Sequence, residues 1–501
     1  MSVKRITAAL AASVLVISSV IACGEAADKP APASTTAAEV QTGAAEEETT
    51  EFRYESGAPA ADFGGEKFRV ATTDPTLYAI LLDFDFEQED GDVIDDAIYR
   101  RNRKIEEQYN IVFTNEITGE WNMGTELLKK TALAGDDAYD MIMVINRDSF
   151  SAAISGYIMP IASIPYLDIE APWYCRELNK QFTIGGKMFL AYTDECMNMY
   201  AQTTAVMFNK DILNNIGGED PYELVRSGKW TYDVLAANAM SAISDVNGDG
   251  TFSAFDDIMG VGSEPDMFYP GMWVSANLKT IVKDENDIPV FTAAGDERLI
   301  GLLETMASWK KTDGFIANSF KDLKGYSGEG ARDQSCVLFA GGHFLYRVGP
   351  VTNVLLLRNM EADFGLLPTP KYDEAQTTYY SRMCDGWIHV APITVTRLEL
   401  LGTVMEALGA ETKNYVMPAF FDVAMTYKLT RDEDSAEMMN IIFENVTVDL
   451  GDTVWQSDCR ATFTDKLASG KEGYASVFEK MTKRINKTID KAVAAAEELD
   501  Q

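Results

Sequence analysis

From Gly64 onward, apolar and polar positions alternate in blocks that predict strand, helix and strand again. Lys67-Phe68-Arg69-Val70-Ala71 reads as a strand closed by the polar turn Thr72-Thr73-Asp74-Pro75. A helix follows. Asp92 fits its N-cap, Asp95 stands where the positive helix end favours acid, and Val93, Ala97, Ile98 and Ile105 share a face. It ends near Tyr109-Asn110, and Ile111-Val112-Phe113 opens a second strand. A second helix, Thr125 to Ala134, stops at Gly135. Tyr139 to Val144 is then apolar on both faces and predicts a buried strand. This order implies a parallel sheet with right-handed crossovers.

Further on, GGKMFLAYTDE (185–195) reads as a hairpin-like strand pair, and AVMFNKDILNN (205–215) as a strand running into a helix. Gln334 to Tyr346 predicts another strand ending in a loop, and Phe364 to Pro368 an extended passage. Phe478, Met481, Ile485, Ile489 and Val493 recur at three- and four-residue steps, giving one apolar stripe on a charged C-terminal helix.

The N-terminus is of another kind. Lys4 and Arg5 precede an unbroken run of apolar and small residues from Ile6 to Ala22, the pattern of a secretory signal and too short for a spanning helix. Val20-Ile21-Ala22-Cys23 resembles the lipobox of bacterial lipoproteins, which implies acylation of Cys23. Residues 24–61 are rich in Ala, Glu, Thr and Pro, and such a segment cannot bury enough surface to offset its ordering entropy. The expectation is a signal over 1–22 and a lipidated, disordered leash over 23–61, holding a body at the outer face of the cell membrane.

The chain has 501 residues and a net charge of −35, which loss of Lys4 and Arg5 with the signal takes to −37. A body so acidic repels phosphate backbones and anionic lipid, which argues against nucleic acid and leaves the lipid as the only membrane contact. With Cys23 lipidated, five cysteines remain, none at metal-ligand spacing. They read as buried free thiols, with a Cys175–Cys196 bridge as the alternative. Only His343 and His389 are present, which disfavours chemistry that depends on histidine.

The stretches YDMIMV, GGKMFLAYTDE, VMFNKDIL, SGKWTYDVL, SCVLFAGGHF and DFGLLPTPKYDEA, in this order behind a lipoprotein signal, resemble the extracellular solute-binding proteins of ABC importers. The match is to the sugar-binding, maltose-binding-protein-like family, in its Gram-positive lipoprotein form. The resemblance implies an α/β, two-lobe periplasmic-binding-protein-like fold of type II. Lobe one would hold 62–194 and 368–410, and lobe two 195–367 and 411–501. Hinge strands would cross near Asp194-Glu195 and Leu367-Pro368. It implies a monomer that takes a small solute, a carbohydrate, between its lobes and passes it to ABC permease subunits, without catalysis. A surface glycosidase using paired carboxylates and a glycan-binding lipoprotein with no transport role stand as alternatives.

Sugars present hydroxyl rims and C–H faces, so aromatics beside Asp, Asn and Arg on loops after strands are the ligand candidates. These are Thr73, Asp74, Trp121, Asn146, Arg147, Asp194, Glu195, Trp273, Asp385 and Trp387. His343 and Phe344 join them at the place where the family often has a cleft aromatic. A separate motif runs from Asp245 to Asp256. Asp245, Asn247, Asp249, Thr251 and Asp256 set oxygens at calcium-loop spacing around Gly250, and the ending in Asp resembles the calcium loops of dockerins. The expectation is a structural Ca²⁺, with a polar surface turn as the plain alternative.

Overall fold

The computed structural model describes residues 52–75, 82–318, 322–323, 331–423 and 431–499. The expected signal, Cys23 and the leash as far as residue 51 lie outside the described residues. Nine strands build two sheets: β1 (Glu66–Thr72), β2 (Ile111–Ile117), β3 (Met141–Ile145), β4 (Thr204–Asn209), β5 (Met259–Gly262), β6 (Ile316–Ala317), β7 (Phe344–Pro350), β8 (Phe364–Leu367) and β9 (Trp387–Val390). The first sheet has the order β9-β3-β1-β2, with β1 parallel to β2 and β3, and β9 antiparallel to β3. The second has the order β6-β5-β7-β4-β8, with β4 running against β7 and β8.

Helix α1 (Val93–Tyr109) joins β1 to β2. The Asp92 carboxylate accepts from the Ile94 N–H at 3.0 Å, and Asn110 ends the helix in a left-handed turn at φ 50°. Its buried face starts at Ile94, while Val93, expected on that face, is about half exposed. Helix α2 (Met123–Ala134) ends at Gly135, also left-handed. Its first turn lies so close to β3 that a Cβ on Gly124 would stand 1.9 Å from the Met143 carbonyl oxygen. Helix α3 (Asn146–Ile154) starts directly from the end of β3.

Two segments cross between the sheets. One runs from Asp194 to Thr203, before β4, and the other from Met383 to Gly386, before β9. They are laced together. Thr203 bridges Met383, the Cys384 N–H donates to the Gln202 carbonyl at 3.1 Å, and the Asn198 amide both donates to the Trp387 carbonyl at 3.0 Å and accepts from its N–H at 2.6 Å. The return crossing comes later than the expected Leu367-Pro368, because Pro368 to Arg382 stays beside the second sheet. There the Trp230 indole donates to the Pro368 carbonyl at 2.8 Å, Lys371 pairs with Thr231, and Ser381-Arg382 pairs with Val446-Thr447.

Three other expectations change. Ala331–Ala340 is a helix, and the strand of the 334–346 stretch begins only at Phe344, after Gly341-Gly342 turns the chain. The π-helical turn Thr412–Val416 and the helix Met417–Val423, expected with lobe two, pack on α1. The body also begins before Gly64. Tyr54 exchanges backbone hydrogen bonds of 2.8 Å with the Asn414 amide, and the Arg53 guanidinium lies 4.7 Å above the Tyr415 ring.

Candidate functional site

The parallel strands of the first sheet end at a single edge, and antiparallel β9 begins there. In sheets of this kind, strand carboxyl ends and helix N-termini leave polar groups free for ligand. Thr73 and Asp74 leave β1. The Asp74 N–H donates to the Gly119 carbonyl at 3.2 Å, tying β1 to the loop that carries Trp121. Asn146 and Arg147 open α3, and the Asn146 N–H donates to the Gly386 carbonyl at 2.7 Å, which brings Asp385 alongside. The Arg147 guanidinium lies 4.1 Å over the Trp121 ring, a cation–π stack, and its Nη1 stands 3.8 Å from Asp385 Oδ2. Trp387 backs the edge. It is buried against Leu82, Met143 and Ile145, and its indole donates to the Trp121 carbonyl at 3.3 Å.

Among the described residues, this edge holds buried polar atoms without a hydrogen-bond partner. They are the hydroxyl of Thr73, Oδ1 of Asp385, and the Asn146 amide and Tyr192 phenol, which have only each other near at more than hydrogen-bond distance. A buried polar group left unpaired costs about 1–3 kcal/mol. Several at the end of one sheet mark a place built to receive polar groups from outside the chain. Tyr192 lies on the strand-like stretch leading to the first crossing and is fully buried, and burial pushes its phenol well above the ordinary value.

The second lobe meets this edge through the helix Arg460–Ala468, which packs on the helix Pro265–Ser275 beside β7. Arg460 Nη1 stands 3.9 Å from Asp385 Oδ1 and 3.4 Å from Asp452 Oδ1. Asp452 is held from its other side by Arg382, at 2.5 and 2.9 Å, with both side chains fully buried. Burial alone would raise Asp385, but Arg460, Arg147 and Arg382 keep its carboxyl below the usual range. Asp148, one residue past Arg147, is raised by burial, with Asp385 adding to the rise.

No family model matches the sequence, and neither does any curated protein. Solved structures do match. An ABC substrate-binding protein of Listeria monocytogenes in complex with cycloalternan aligns over 85% of this chain and 99% of its own, with TM-score 0.55 and 14% identity. UgpB of Mycobacterium tuberculosis in complex with glycerophosphocholine aligns over 81% and 98%, with TM-score 0.54 and 14% identity. A cyclo/maltodextrin-binding protein complexed with maltotetraose aligns over 87% and 98%, with TM-score 0.52 and 13% identity. The fold is that of the two-lobe solute-binding proteins.

Within this solute-binding fold, Thr73, Asp74, Trp121, Asn146, Arg147, Asp385 and Trp387 come together and five candidates do not. Trp273 is fully buried between its own helix and the helix Arg460–Ala468. Its indole donates to Asp449 Oδ2 at 3.1 Å and its ring meets Phe463 edge-on. Phe344 is fully buried in the second sheet, with its ring in the space that a side chain on Gly262 would need. His343 Nδ1 lies 3.0 Å from the Asp257 carbonyl, beside the 245–257 loop. Asp194 accepts from Lys413 and Tyr200, each at 2.8 Å, and Glu195 pairs with His389 Nδ1 at 2.9 Å. Both brace the first crossing. The cavity at Glu195 and His389 measures about 20 Å³, room for one water and not for a solute.

Tyr192, Arg382, Asp452 and Arg460 are the residues that sequence reasoning missed. Tyr192 stands in a run that reads as core. The others become partners only through the crossing of segments distant in sequence.

The 245–256 set is held by hydrogen bonds within its own loop. Both Asp245 oxygens accept loop amides, from Gly248 at 2.7 Å and Gly250 at 2.9 Å. Asp249 accepts from the Thr251 N–H and hydroxyl, and Asn247 from the Asp249 N–H. Asp256 is exposed. Its neighbour Asp257 is fully buried and turns inward, accepting from Val246 and Ser253, each at 2.9 Å. Among the described residues no three His, Cys, Asp or Glu side chains are grouped to hold a metal ion. These side chains hydrogen-bond to amides of their own loop. They fit a hydrogen-bonded turn. Cys175, Cys196, Cys336, Cys384 and Cys459 are free thiols, and no Cys175–Cys196 bridge forms.

Proposed function

We propose that this protein captures a carbohydrate between its two lobes and delivers it to an ABC permease. One observation carries the reading: aromatic Trp121, charged Asp385 and Arg147, and the buried polar side chains of Thr73, Asn146 and Tyr192 share the carboxyl edge of the first sheet, where the second lobe reaches across. An aromatic face beside paired donors and acceptors suits a molecule with hydroxyls at its rim and C–H groups on its faces. The known occupants of the similar folds support it, since cycloalternan and maltotetraose are both oligosaccharides.

The capture is reversible binding with no bond broken. The solute favours the closed arrangement only through contacts that both lobes make at once. We assign the protein to the outer face of the membrane, tethered by lipid on Cys23, on the strength of the Val20–Cys23 signal. Replacing Cys23 with Ser would then release the protein from the detergent phase into the aqueous phase on phase partitioning.

The deciding experiment is a thermal-shift panel of glucose, maltose, maltotetraose, raffinose and glycerophosphocholine on the body from residue 53. A saccharide at about 100 times its Kd adds about 2.7 kcal/mol of stability. The expected result is a melting shift with a saccharide that Trp121→Ala abolishes, and no released product. A shift with glycerophosphocholine alone overturns the carbohydrate assignment, and hydrolysis of a panel sugar overturns the binding-protein assignment.

A further inference from the structure

We propose that Arg460 is the latch by which the second lobe detects an occupied site, and that the group it detects is a vicinal diol of the solute held on Asp385. This rests on the carbohydrate-capture reading above. Asp385 lies at the lobe-one end of the return crossing, two residues before β9 and joined through the Gly386 carbonyl to the Asn146 N–H. Its carboxylate is flanked by two guanidiniums, Arg147 from its own lobe at 3.8 Å and Arg460 from the other at 3.9 Å. Both distances are too long for a hydrogen bond, and Oδ1 has no hydrogen-bond partner in the protein. A buried ion pair is well stabilised only when further hydrogen bonds satisfy its remaining lone pairs. This one is charged, partly buried and under-bonded.

Neither guanidinium is positioned to close the gap by itself. Arg147 is stacked on Trp121. Arg460 is 4% exposed and anchored in lobe two by Asp452 and by Gln456 Oε1, each at 3.4 Å, with Asp452 fixed in turn by Arg382. The fit is to adjacent hydroxyls. Two neighbouring O–H groups each donate to one carboxylate oxygen of Asp385, and their lone pairs accept from Arg147 on one side and Arg460 on the other. Such a bridge includes lobe two only when the lobes are together, so Arg460 contributes to closure and Trp121 to capture.

The test separates these two roles on the body from residue 53, with the five-compound panel as probes, titration calorimetry for affinity and small-angle scattering for compaction. Arg460→Met keeps the stem and removes the donors. It is expected to weaken saccharide binding about tenfold or more and to abolish compaction at saturating sugar. Trp121→Ala is expected to weaken binding while compaction at saturation survives. Arg460→Lys, which retains the charge beside Asp452, is expected to restore part of the compaction and controls for folding. Compaction by Arg460→Met equal to that of the native protein overturns the latch and leaves the capture reading standing. Failure of every saccharide to bind the native protein overturns both. Equal affinity for maltose and its 2,3-dideoxygenated methyl glycoside analogue at each ring overturns the diol.

Discussion

The loop at 245–257 shows what the spacing of a motif leaves open at a single residue. Spacing put the closing oxygen on Asp256, but the backbone turns so that Asp257 faces inward and takes the Val246 and Ser253 amides. Spacing along a sequence fixes which oxygens are near, not which way the last one points. Asp257→Ala leaves two loop N–H groups unpaired and is expected to lower stability by about 1–3 kcal/mol, while Asp256→Ala leaves the urea midpoint unchanged, with or without Ca²⁺. A rise in midpoint with Ca²⁺ that Asp256→Ala abolishes would restore the metal reading. The same limit applied to Trp273 and Phe344, since composition cannot tell a core ring from one that faces a ligand. At the first crossing, burial alone would raise Glu195, but His389 and Arg101 hold it below its ordinary 4.5. A depressed folded-state value adds stability above about 4.5 that is lost as the pH falls through that folded value. Urea midpoints taken downward from pH 7 should therefore fall more steeply for the native protein than for Glu195→Gln.

Elements with strong periodicity were legible. The stripe at Phe478, Met481, Ile485 and Ile489 is buried along the helix Tyr474–Glu498, and Asp92, Asn110 and Gly135 bound α1 and α2 as their chemistry suggests. Periodicity fails on short apolar runs. Cys336-Val337-Leu338-Phe339-Ala340 suits a strand or a buried helix equally, and it is the latter. Arg53 and Tyr54, within the expected leash, dock on the body for another reason. The composition of the leash does not bury surface, yet Tyr54 needs only its backbone and one ring to dock, against Asn414 and the cluster of Trp173, Tyr174 and Ala410. Asn414→Ala is expected to speed tryptic cleavage after Arg53 several-fold without moving the melting temperature of the body. An unchanged cleavage rate would show that this docking does not persist in solution.

At the scale of the molecule, the alternation of strand and helix pointed to the parallel core of the first sheet, but not to strands β5, β6 and β9 or to where the chain returns to the first sheet. That return depends on the Trp230 indole and on the pairing of Ser381-Arg382 with Val446-Thr447, contacts between segments far apart in sequence. The acidic body has a consequence for capture, since an anionic solute would be repelled at long range. Saccharide binding should therefore be insensitive to salt, and association rates measured between about 20 and 500 mM salt should agree within twofold for a neutral sugar. The paired crossings constrain the motion that capture needs. A lone connector would leave one half free to swivel, whereas two backbones stitched at Thr203–Met383 and Asn198–Trp387 behave as a flat leaf spring with a single soft bending direction. The opening expected from this pairing is book-like, and the amide protons of Cys384 and Trp387 should then exchange slowly whether the lobes are apart or together.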